Sequence, residues 1–172
     1  MDLTMTKRAF LFSAAGALGV ALLPGCRARA ADAETFEISK TDEEWKRILS
    51  PAAFAVLREE DTERAGTSPL NKEHRPGIYR CAGCALPVFS SETKFESGTG
   101  WPSFWKPIDA AIRTRKEGIQ YFIPSTEVHC RQCGGHLGHV FDDGPPPTHL
   151  RYCINGIALA FEPQSGQREK ER

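Results

Sequence analysis

Cys153 is the side chain of this sequence best suited to covalent chemistry, because each of the five other cysteines can be given a different role. It lies in the run Arg151-Tyr152-Cys153-Ile154-Asn155. Side chains alternate along a strand, so Arg151 would share the face of Cys153, where its guanidinium would favour the reactive thiolate. A buried, inert thiol is the alternative. The run therefore makes Cys153 a candidate nucleophile, and Asn155 either a turn residue or a polar positioning group.

Four other cysteines form two Cys-x-x-Cys pairs, which is the spacing of a tetrahedral zinc site. Because the pairs are far apart in the chain, the fold must assemble the site. Disulfides are the alternative in an oxidising compartment. A closed four-thiolate site has no open position for a substrate, so we expect a structural Zn²⁺. The expected ligands are Cys81, Cys84, Cys130 and Cys133.

A histidine pair could supply acid catalysis beside Cys153. His136 and His139 are three residues apart, so they would face opposite ways in a regular strand. Both can reach one site only if the chain bends near Gly138. An imidazole there can donate a proton to a leaving oxygen near neutral pH, whereas a purely structural role is the alternative.

A glycine-rich loop precedes Trp101 and could present its indole at a surface. The segment Gly98-Thr99-Gly100-Trp101-Pro102 has the turn-forming residues for this. An exposed indole makes a flat apolar wall that suits a small methylated group. An ordinary core tryptophan is the alternative.

The elements that must position these residues are short strands that follow two helices. Thr41 and Glu44 form a capping box, and Ser50-Pro51 is typical of a second helix start. From Gly77 onward, strand-like segments alternate with Gly and Pro, and Asn155-Gly156 predicts a hairpin turn. We therefore expect an antiparallel, mainly β domain. Strands are predicted over 77–80, 86–89, 119–123, 126–129, 150–154 and 157–161.

The N-terminus predicts an export signal over residues 1–30. Lys7 and Arg8 precede an apolar run that is too short to cross the ~30 Å hydrocarbon core of a bilayer. Ala28-Arg29-Ala30 is typical of a signal-peptidase site, and a lipoprotein signal that ends at Cys26 is the alternative. We therefore expect an exported, periplasmic chain without a membrane span, or a lipid-anchored envelope protein.

Length and charge limit what the mature chain could do. The 172 residues fit one compact domain, for which we expect residues 41–163, with a linker over 31–40 and a polar tail over 164–172. The 22 basic and 22 acidic residues cancel, and removing residues 1–30 leaves a mildly acidic chain. Neither nucleic acid nor an acidic membrane surface is therefore expected as a partner. We expect a monomer.

Six blocks of the sequence occur in the order typical of methionine-R-sulfoxide reductases of the B type, which the chain resembles over residues 41–163. Together they are highly specific. The resemblance implies a small, barrel-like, two-layer domain of two antiparallel sheets with N-terminal helices and a zinc site far from the reaction centre. The blocks are Cys81-x-x-Cys84, the run 94–104 around Trp101, Cys130-x-x-Cys133, the run 136–141, Asp143-Gly144-Pro145 and the run 151–155.

The resemblance also implies a role for each candidate side chain. Cys153 would attack the sulfur of methionine-R-sulfoxide, preferably in a peptide, and become a sulfenic acid as methionine leaves. Trp101 would hold the substrate methyl group, and Arg151 would stabilise the thiolate. The side chains expected to orient the sulfoxide oxygen are His136, His139 and Asn155, with His139 as the proton donor.

One departure from the family pattern bears on turnover. Many members have a resolving cysteine just before Gly100-Trp101, where this chain has Thr99. The zinc cysteines would be occupied, and Cys26 would be removed or held as a lipidated thioether that cannot exchange. We therefore expect an external, thioredoxin-like thiol to reduce the Cys153 sulfenic acid directly.

Two other classes of function are weaker interpretations. A non-enzymatic zinc-ribbon binding module would give no reason for Trp101, His136 and His139 to accompany an Arg-x-Cys-x-Asn strand. A cysteine hydrolase would need an oxyanion hole, for which the sequence offers no motif.

Overall fold

The structure is a computed structural model that describes residues 34–120 and 123–164. The predicted export signal, its alternative end at Cys26 and nearly all of the predicted tail lie outside those residues. None of the helices in the described part of the chain combines the length and the apolar character that crossing a lipid bilayer requires.

Two short helices open the described chain, and both begin where the capping residues predicted. Helix α1 spans Asp42–Ile48, where Thr41 Oγ1 accepts from the Glu44 amide at 3.3 Å and Glu44 Oε2 accepts from the Thr41 amide at 2.8 Å. Helix α2 spans Pro51–Glu59, with Ser50 Oγ accepting from the Ala53 amide at 3.2 Å. Each cap satisfies amide groups that the first helical turn leaves without a partner.

Between residues 34 and 164, as far as the structure describes them, nine strands form two antiparallel sheets, as expected. The smaller sheet has the order β2-β1-β9, and the larger has the order β3-β4-β8-β7-β6-β5. The strands are β1 Gly77–Cys81, β2 Pro87–Ser90, β3 Lys94–Phe95, β4 Ser103–Phe104, β5 Ile112–Gln120, β6 Ile123–Cys130, β7 His136–Phe141, β8 Arg151–Ile154 and β9 Leu159–Pro163.

Aromatic side chains from both sheets form the centre of the core. The Phe89 and Phe104 rings stack with centroids 4.4 Å apart, and Tyr79 meets Phe104 edge-on at 4.9 Å. Tyr152 of β8 packs on Phe89 with centroids 5.9 Å apart. Aromatic pairs in these geometries add stability beyond the burial of their apolar area. Because Tyr152 faces this core, its neighbour Cys153 must point to the other face of the strand.

The hairpin predicted at Asn155-Gly156 is wrong. β8 and β9 belong to different sheets, and Gly156–Ala158 between them forms a 3-10 turn. Asn155 has φ of −62°, whereas a two-residue hairpin turn of the Asn-Gly type needs a positive φ there. Gly156 instead permits close packing, since a Cβ on it would lie 1.8 Å from Ser68 Oγ.

Two predicted strands are misplaced relative to the structure, whereas those predicted over 77–80, 86–89, 126–129 and 150–154 fall on β1, β2, β6 and β8 with shifted ends. The strand predicted over 157–161 begins only at Leu159, after the 3-10 turn. The strand predicted over 119–123 falls across the end of β5 and the start of β6, and residues 121 and 122 lie outside the described part.

Candidate active site

Strand β8 presents Cys153 on the face that points away from the aromatic core. Tyr152 and Ile154 are buried, whereas Arg151 and Cys153 are half-buried, so the predicted alternation is present. β8 lies between β4 and β7, and the register places Cys153 opposite Ser103 on one side and His139 on the other. Residues directly opposite each other on neighbouring strands share a face of the sheet. The pairing of β7 with β8 therefore brings His139 to Cys153.

Cys153 opens into a cavity of about 150 Å³. This volume suits the end of one side chain, since sites for drug-sized ligands or cofactors are typically about 300 Å³ or larger. Four of the predicted site residues therefore meet at this cavity: Trp101, His139, Cys153 and Asn155. The lining residues are Thr62, Trp101, Gly138, His139, Phe141, Cys153 and Asn155.

The sequence interpretation missed two of these lining residues. Phe141 lies two residues after His139 in β7, so the period of a strand could have placed it on the same face. Thr62 follows helix α2 in an irregular segment, where no local pattern indicates what it contacts.

Trp101 is held through its only polar atom. Its indole Nε1 donates a hydrogen bond to the carbonyl oxygen of Glu63 at 3.0 Å. With the N–H satisfied, ring carbons are what the indole offers to the cavity, which is the apolar wall that the loop predicted.

A bulge in β7 brings the His136 and His139 rings near each other. The spacing of the two histidines predicted that this would require a bend near Gly138. Pairing with β6 passes from Val128↔Gly138 to His129↔His136, so one extra residue lies in β7. The rings of His136 and His139 consequently have centroids 5.3 Å apart. Gly138 is required there because its φ is +154° and a Cβ would lie 2.1 Å from the Cys153 carbonyl oxygen.

The two histidines nevertheless occupy different environments. His139 lines the cavity, and its Nε2 lies 3.0 Å from Glu117 Oε2. His136 is buried, and its Nδ1 lies 2.9 Å from Glu127 Oε1. Only His139 therefore faces the cavity directly, with His136 packed behind it.

Asn155 uses both ends of its amide to hold the site together. Its Oδ1 accepts from the Glu63 amide at 3.0 Å, and its Nδ2 donates to the Leu137 carbonyl at 3.2 Å. The side chain is buried but lines the cavity. It joins β8 to the bulge in β7 and to the segment after α2.

Arg151 binds a carboxylate at the rim of the site. Its Nε and Nη2 donate to the two carboxylate oxygens of Asp143, each at 2.8 Å, and its guanidinium lies 4.5 Å from the Phe141 ring centroid. This bidentate bond lowers the pKa of Asp143 and raises that of Arg151, to which the charge of Cys153 also contributes. Arg151 is therefore held as a cation beside the wall of the cavity.

Glu127 is a buried carboxylate that the sequence interpretation missed. Its oxygens lie 2.9 Å from His136 Nδ1, 3.4 Å from His129 Nδ1 and 2.9 Å from Arg115 Nη2. Burial raises the pKa of Glu127, but hydrogen bonds from His129 and His136 outweigh burial and hold it well below its ordinary value. The sequence signal for it is a charged residue inside a predicted strand, between Thr126 and Val128.

The four cysteines expected to bind zinc form one cluster, to which β1 and β6 each contribute their last residue. All four Sγ atoms lie within 4.8 Å of one another, and the pairs Cys81–Cys133 and Cys84–Cys130 are 3.7 and 3.5 Å apart. Disulfide sulfurs would be about 2.05 Å apart. Sulfurs that surround one zinc ion tetrahedrally at about 2.3 Å are about 3.8 Å apart, so the cluster fits a metal.

The donor set also needs a cation to become fully ionised. Hydrogen bonding from Cys133 lowers the pKa of Cys130, whereas bonding to Cys130 raises the pKa of Cys81 and of Cys133. Cysteines bind a metal as thiolates, so a divalent ion at this cluster would displace the thiol protons. The cluster ties β1 of the smaller sheet to β6 of the larger one, and it shares no residue with the lining of the Cys153 cavity.

Comparisons with known proteins identify relatives over most of the chain. The model of the SelR domain family matches residues 49–163. The peptide methionine sulfoxide reductase MsrB of Leptospira interrogans serogroup Icterohaemorrhagiae serovar Lai is 47% identical over 127 residues, which cover 74% of this chain and 97% of that protein. The protein of the same name from Pseudomonas putida is 50% identical over 130 residues, which cover 76% of this chain and 98% of that protein.

A likeness to a solved structure is weaker. The crystal structure of the Mis18 "Yippee-like" domain is 14% identical, with a TM-score of 0.44, and the match covers 54% of this chain and 100% of that one.

Proposed function

Because this chain belongs to the SelR domain family of MsrB-type peptide methionine sulfoxide reductases, which are oxidoreductases, we propose that it reduces methionine-R-sulfoxide in oxidised proteins at Cys153. The observation that carries the proposal is the cavity in which Cys153 meets Trp101 and His139. Its small volume suits the end of a methionine side chain, with the rest of the substrate peptide outside the cavity.

Cys153 performs the chemical step as a nucleophile. Its thiolate attacks the substrate sulfur, the S–O bond breaks, and methionine leaves with two more electrons than the sulfoxide had. The oxygen atom ends on Cys153, which is thereby oxidised to a sulfenic acid. Arg151, fixed by Asp143 on the same face of β8, favours the thiolate form.

The neighbouring side chains bind the sulfoxide and move its proton. Trp101 holds the substrate methyl group against ring carbons, because its N–H is occupied by Glu63. His139 donates the proton to the sulfoxide oxygen, with its ring oriented by Glu117. Asn155 holds the end of β8 to the bulge in β7, and the buried His136 packs behind His139. Both side chains orient the sulfoxide oxygen, directly or through water.

The cycle closes with a thiol from outside the chain. Among the described residues, the four other cysteines form the metal-binding cluster, and Thr99 stands beside Cys153. A thioredoxin-like dithiol therefore reduces the sulfenic acid, becomes a disulfide and releases one water molecule.

We propose Zn²⁺ as the ion held by Cys81, Cys84, Cys130 and Cys133. When bound, it would neutralise the thiolates and stabilise the fold without taking part in the reaction. The thiolates themselves join the two sheets at the ends of β1 and β6.

We also propose that residues 1–30 direct export to the periplasm, with a lipid anchor at Cys26 as the alternative. Cell fractionation of the full chain and of Cys26→Ser tests this. Soluble periplasmic protein from both chains supports removal of the signal, whereas membrane association that is lost in Cys26→Ser supports the anchor.

The deciding experiment is a thiol-dependent assay with the R and S epimers of a methionine sulfoxide peptide. We expect reduction of the R epimer alone, complete loss of activity in Cys153→Ser, and retained activity in Glu92→Gln, whose side chain lies outside the cavity. Retained activity in Cys153→Ser would refute the assignment of Cys153. A wild-type chain that binds zinc but reduces neither epimer would favour a zinc-ribbon binding module.

A further inference from the structure

The segment that follows α2 brings an acidic residue, Glu63, against two walls of the cavity. Glu63 contacts Trp101 and the residues that follow Cys153. We propose that Glu63 is a positioning residue that holds the Trp101 indole and the Asn155 amide in place around Cys153. The kinetic consequence of this proposal rests on the proposed function.

The backbone of Glu63 bridges two walls of the cavity. Its N–H donates to Asn155 Oδ1 at 3.0 Å, and its carbonyl accepts from Trp101 Nε1, also at 3.0 Å. The preceding residue, Thr62, lines the same cavity. A displacement of Glu63 is therefore transmitted to the apolar wall and to the polar wall together.

The side chain of Glu63 anchors that bridge to the turn after β8. Its Oε1 accepts from the Gly156 amide at 2.5 Å, and its Oε2 accepts from the Ile157 amide at 3.1 Å. Two successive backbone amides thus donate to the two oxygens of one carboxylate. Hydrogen bonds to a charged carboxylate are stronger than hydrogen bonds between neutral groups.

Glu63 supplies the cap that Asn155 does not. Asn155 occupies the cap position of the 3-10 turn, where an asparagine ordinarily accepts from the turn's own amides, but its side chain makes no such bond. Its Oδ1 is used by the Glu63 amide, and the Glu63 carboxylate takes the amides of the turn. This exchange commits the Asn155 amide to the cavity instead of the turn.

The variant Glu63→Gln tests the proposal with little change of shape. Its amide keeps one oxygen acceptor but turns an N–H₂ group toward a backbone N–H, so one of the two anchoring bonds is lost. We expect KM for a methionine-R-sulfoxide peptide to rise about tenfold, while the rate of Cys153 alkylation by iodoacetamide and the zinc content stay as in wild type.

A spectroscopic measurement reports on the position of Trp101 without using the reaction. In a background with Trp45→Phe and Trp105→Phe, the emission comes from Trp101 alone. Glu63→Gln should shift that emission to longer wavelength, because the released indole becomes more exposed to water. The matched control is Glu73→Gln, which removes a carboxylate bound to Arg75 away from the cavity and should change neither emission nor KM.

The outcomes separate this proposal from the proposed function. Unchanged KM and unchanged emission in Glu63→Gln would overturn the role of Glu63. If the wild-type chain has no reductase activity, the proposed function fails, and the emission shift alone decides whether Glu63 positions Trp101. Should Glu63→Gln not fold, Glu63→Asp keeps the charge but cannot reach both amides, and the same two measurements apply to it.

Discussion

Thr99 Oγ1 lies 3.7 Å from Cys153 Sγ, so a hydroxyl group stands beside the proposed nucleophile, at the position where the family resemblance leads us to expect a resolving thiol. The hydroxyl is not isolated. Ser97 Oγ lies 2.8 Å from Thr99 Oγ1 and 2.7 Å from Ser103 Oγ, which makes a chain of three hydroxyls that ends at the sulfur. Each hydroxyl can rotate to donate or to accept, so the chain can bond to Cys153 as a thiolate or as a protonated species.

The first prediction is that Thr99→Cys creates a resolving thiol. A sulfur at this position would lie close enough to attack the Cys153 sulfenic acid, provided that small shifts bring the two sulfurs to bonding distance. After one turnover without reductant, we expect mass spectrometry after acid quenching to find an intramolecular disulfide between the introduced thiol and Cys153. Thr114→Cys, at an exposed position of β5, is the control and should give none. A wild-type chain that itself forms a disulfide through Cys153 would contradict the dependence on an external thiol.

The second prediction concerns the bond between Asp143 and Arg151. Asp143→Asn leaves one oxygen and one N–H₂ group facing the guanidinium, so the bidentate bond is lost. We expect the alkylation rate of Cys153 at neutral pH to fall roughly threefold to tenfold, because Arg151 is no longer held on the thiol's side of the strand. The control is Glu162→Gln, which breaks the exposed ion pair with Arg80 far from Cys153 and should leave the rate unchanged.

The pH dependence of that effect follows from the lowered pKa of Asp143. Its hydrogen bond to Arg151 holds the folded pKa below the unfolded value of about 3.9, so the contribution of the pair is present above that pH and is lost as the pH falls through the folded pKa. The difference between Asp143→Asn and wild type should therefore be constant at neutral and mildly acidic pH. A difference that disappears between pH 8 and pH 6 would mean that another group is responsible.

The third prediction concerns the buried carboxylate of Glu127. Glu127→Gln leaves His129, His136 and Arg115 around a neutral amide, and breaking such a buried ionic cluster costs about 3 to 5 kcal/mol of unfolding free energy. Urea unfolding of both proteins measures this difference. The control is Glu60→Gln, which removes the exposed partner of Arg115 and should change the free energy by less than about 1 kcal/mol.

The contribution of the Glu127 cluster to the free energy of unfolding depends on pH. The pKa of Glu127 is lowered, so its contribution is present above about pH 4.3, the unfolded value, and is lost as pH falls through the folded pKa. Burial lowers the pKa of His129, but hydrogen bonds to Glu127 and Glu34 outweigh burial and raise it. The contribution of His129 is therefore full below about pH 6.5 and is lost as pH rises through its raised folded pKa. The free-energy difference between wild type and Glu127→Gln should be largest between these limits and should narrow at alkaline pH. A difference that grows from pH 7 to pH 9 would contradict this.

The fourth prediction concerns removal of the metal. Because the four thiolates join the end of β1 to the end of β6, losing the ion should loosen both sheets and lower the melting temperature by more than about 10 °C. Metal analysis should find one zinc per chain in wild type and in Cys153→Ser, but none in Cys84→Ser. A Cys84→Ser chain that keeps wild-type stability would show that the cluster is not a structural metal site.

Local patterns predicted the elements that surround the site because each depends on neighbours in sequence. The capping box at Thr41, the alternation along β8 and the bend that His136 and His139 require were all read from spacing, and the structure confirms them. The hairpin at Asn155-Gly156 failed for the opposite reason. There the packing of Gly156 against Ser68 overrides the turn type that the two residues prefer.

By itself, the sequence determined the chemical groups: the Cys153 thiol apart from the two Cys-x-x-Cys pairs, an arginine on its strand face, and the indole and imidazoles of the other motifs. Only the tertiary structure decided which of them meet. It placed Trp101 and His139 at the Cys153 cavity, kept His136 behind His139, and brought in Glu63 and Glu127. The physical reason is that these contacts depend on strand order and register, since Glu63 is separated from Trp101 by 38 residues and from Asn155 by 92. The spacing of residues along the chain cannot predict contacts between residues so far apart in sequence.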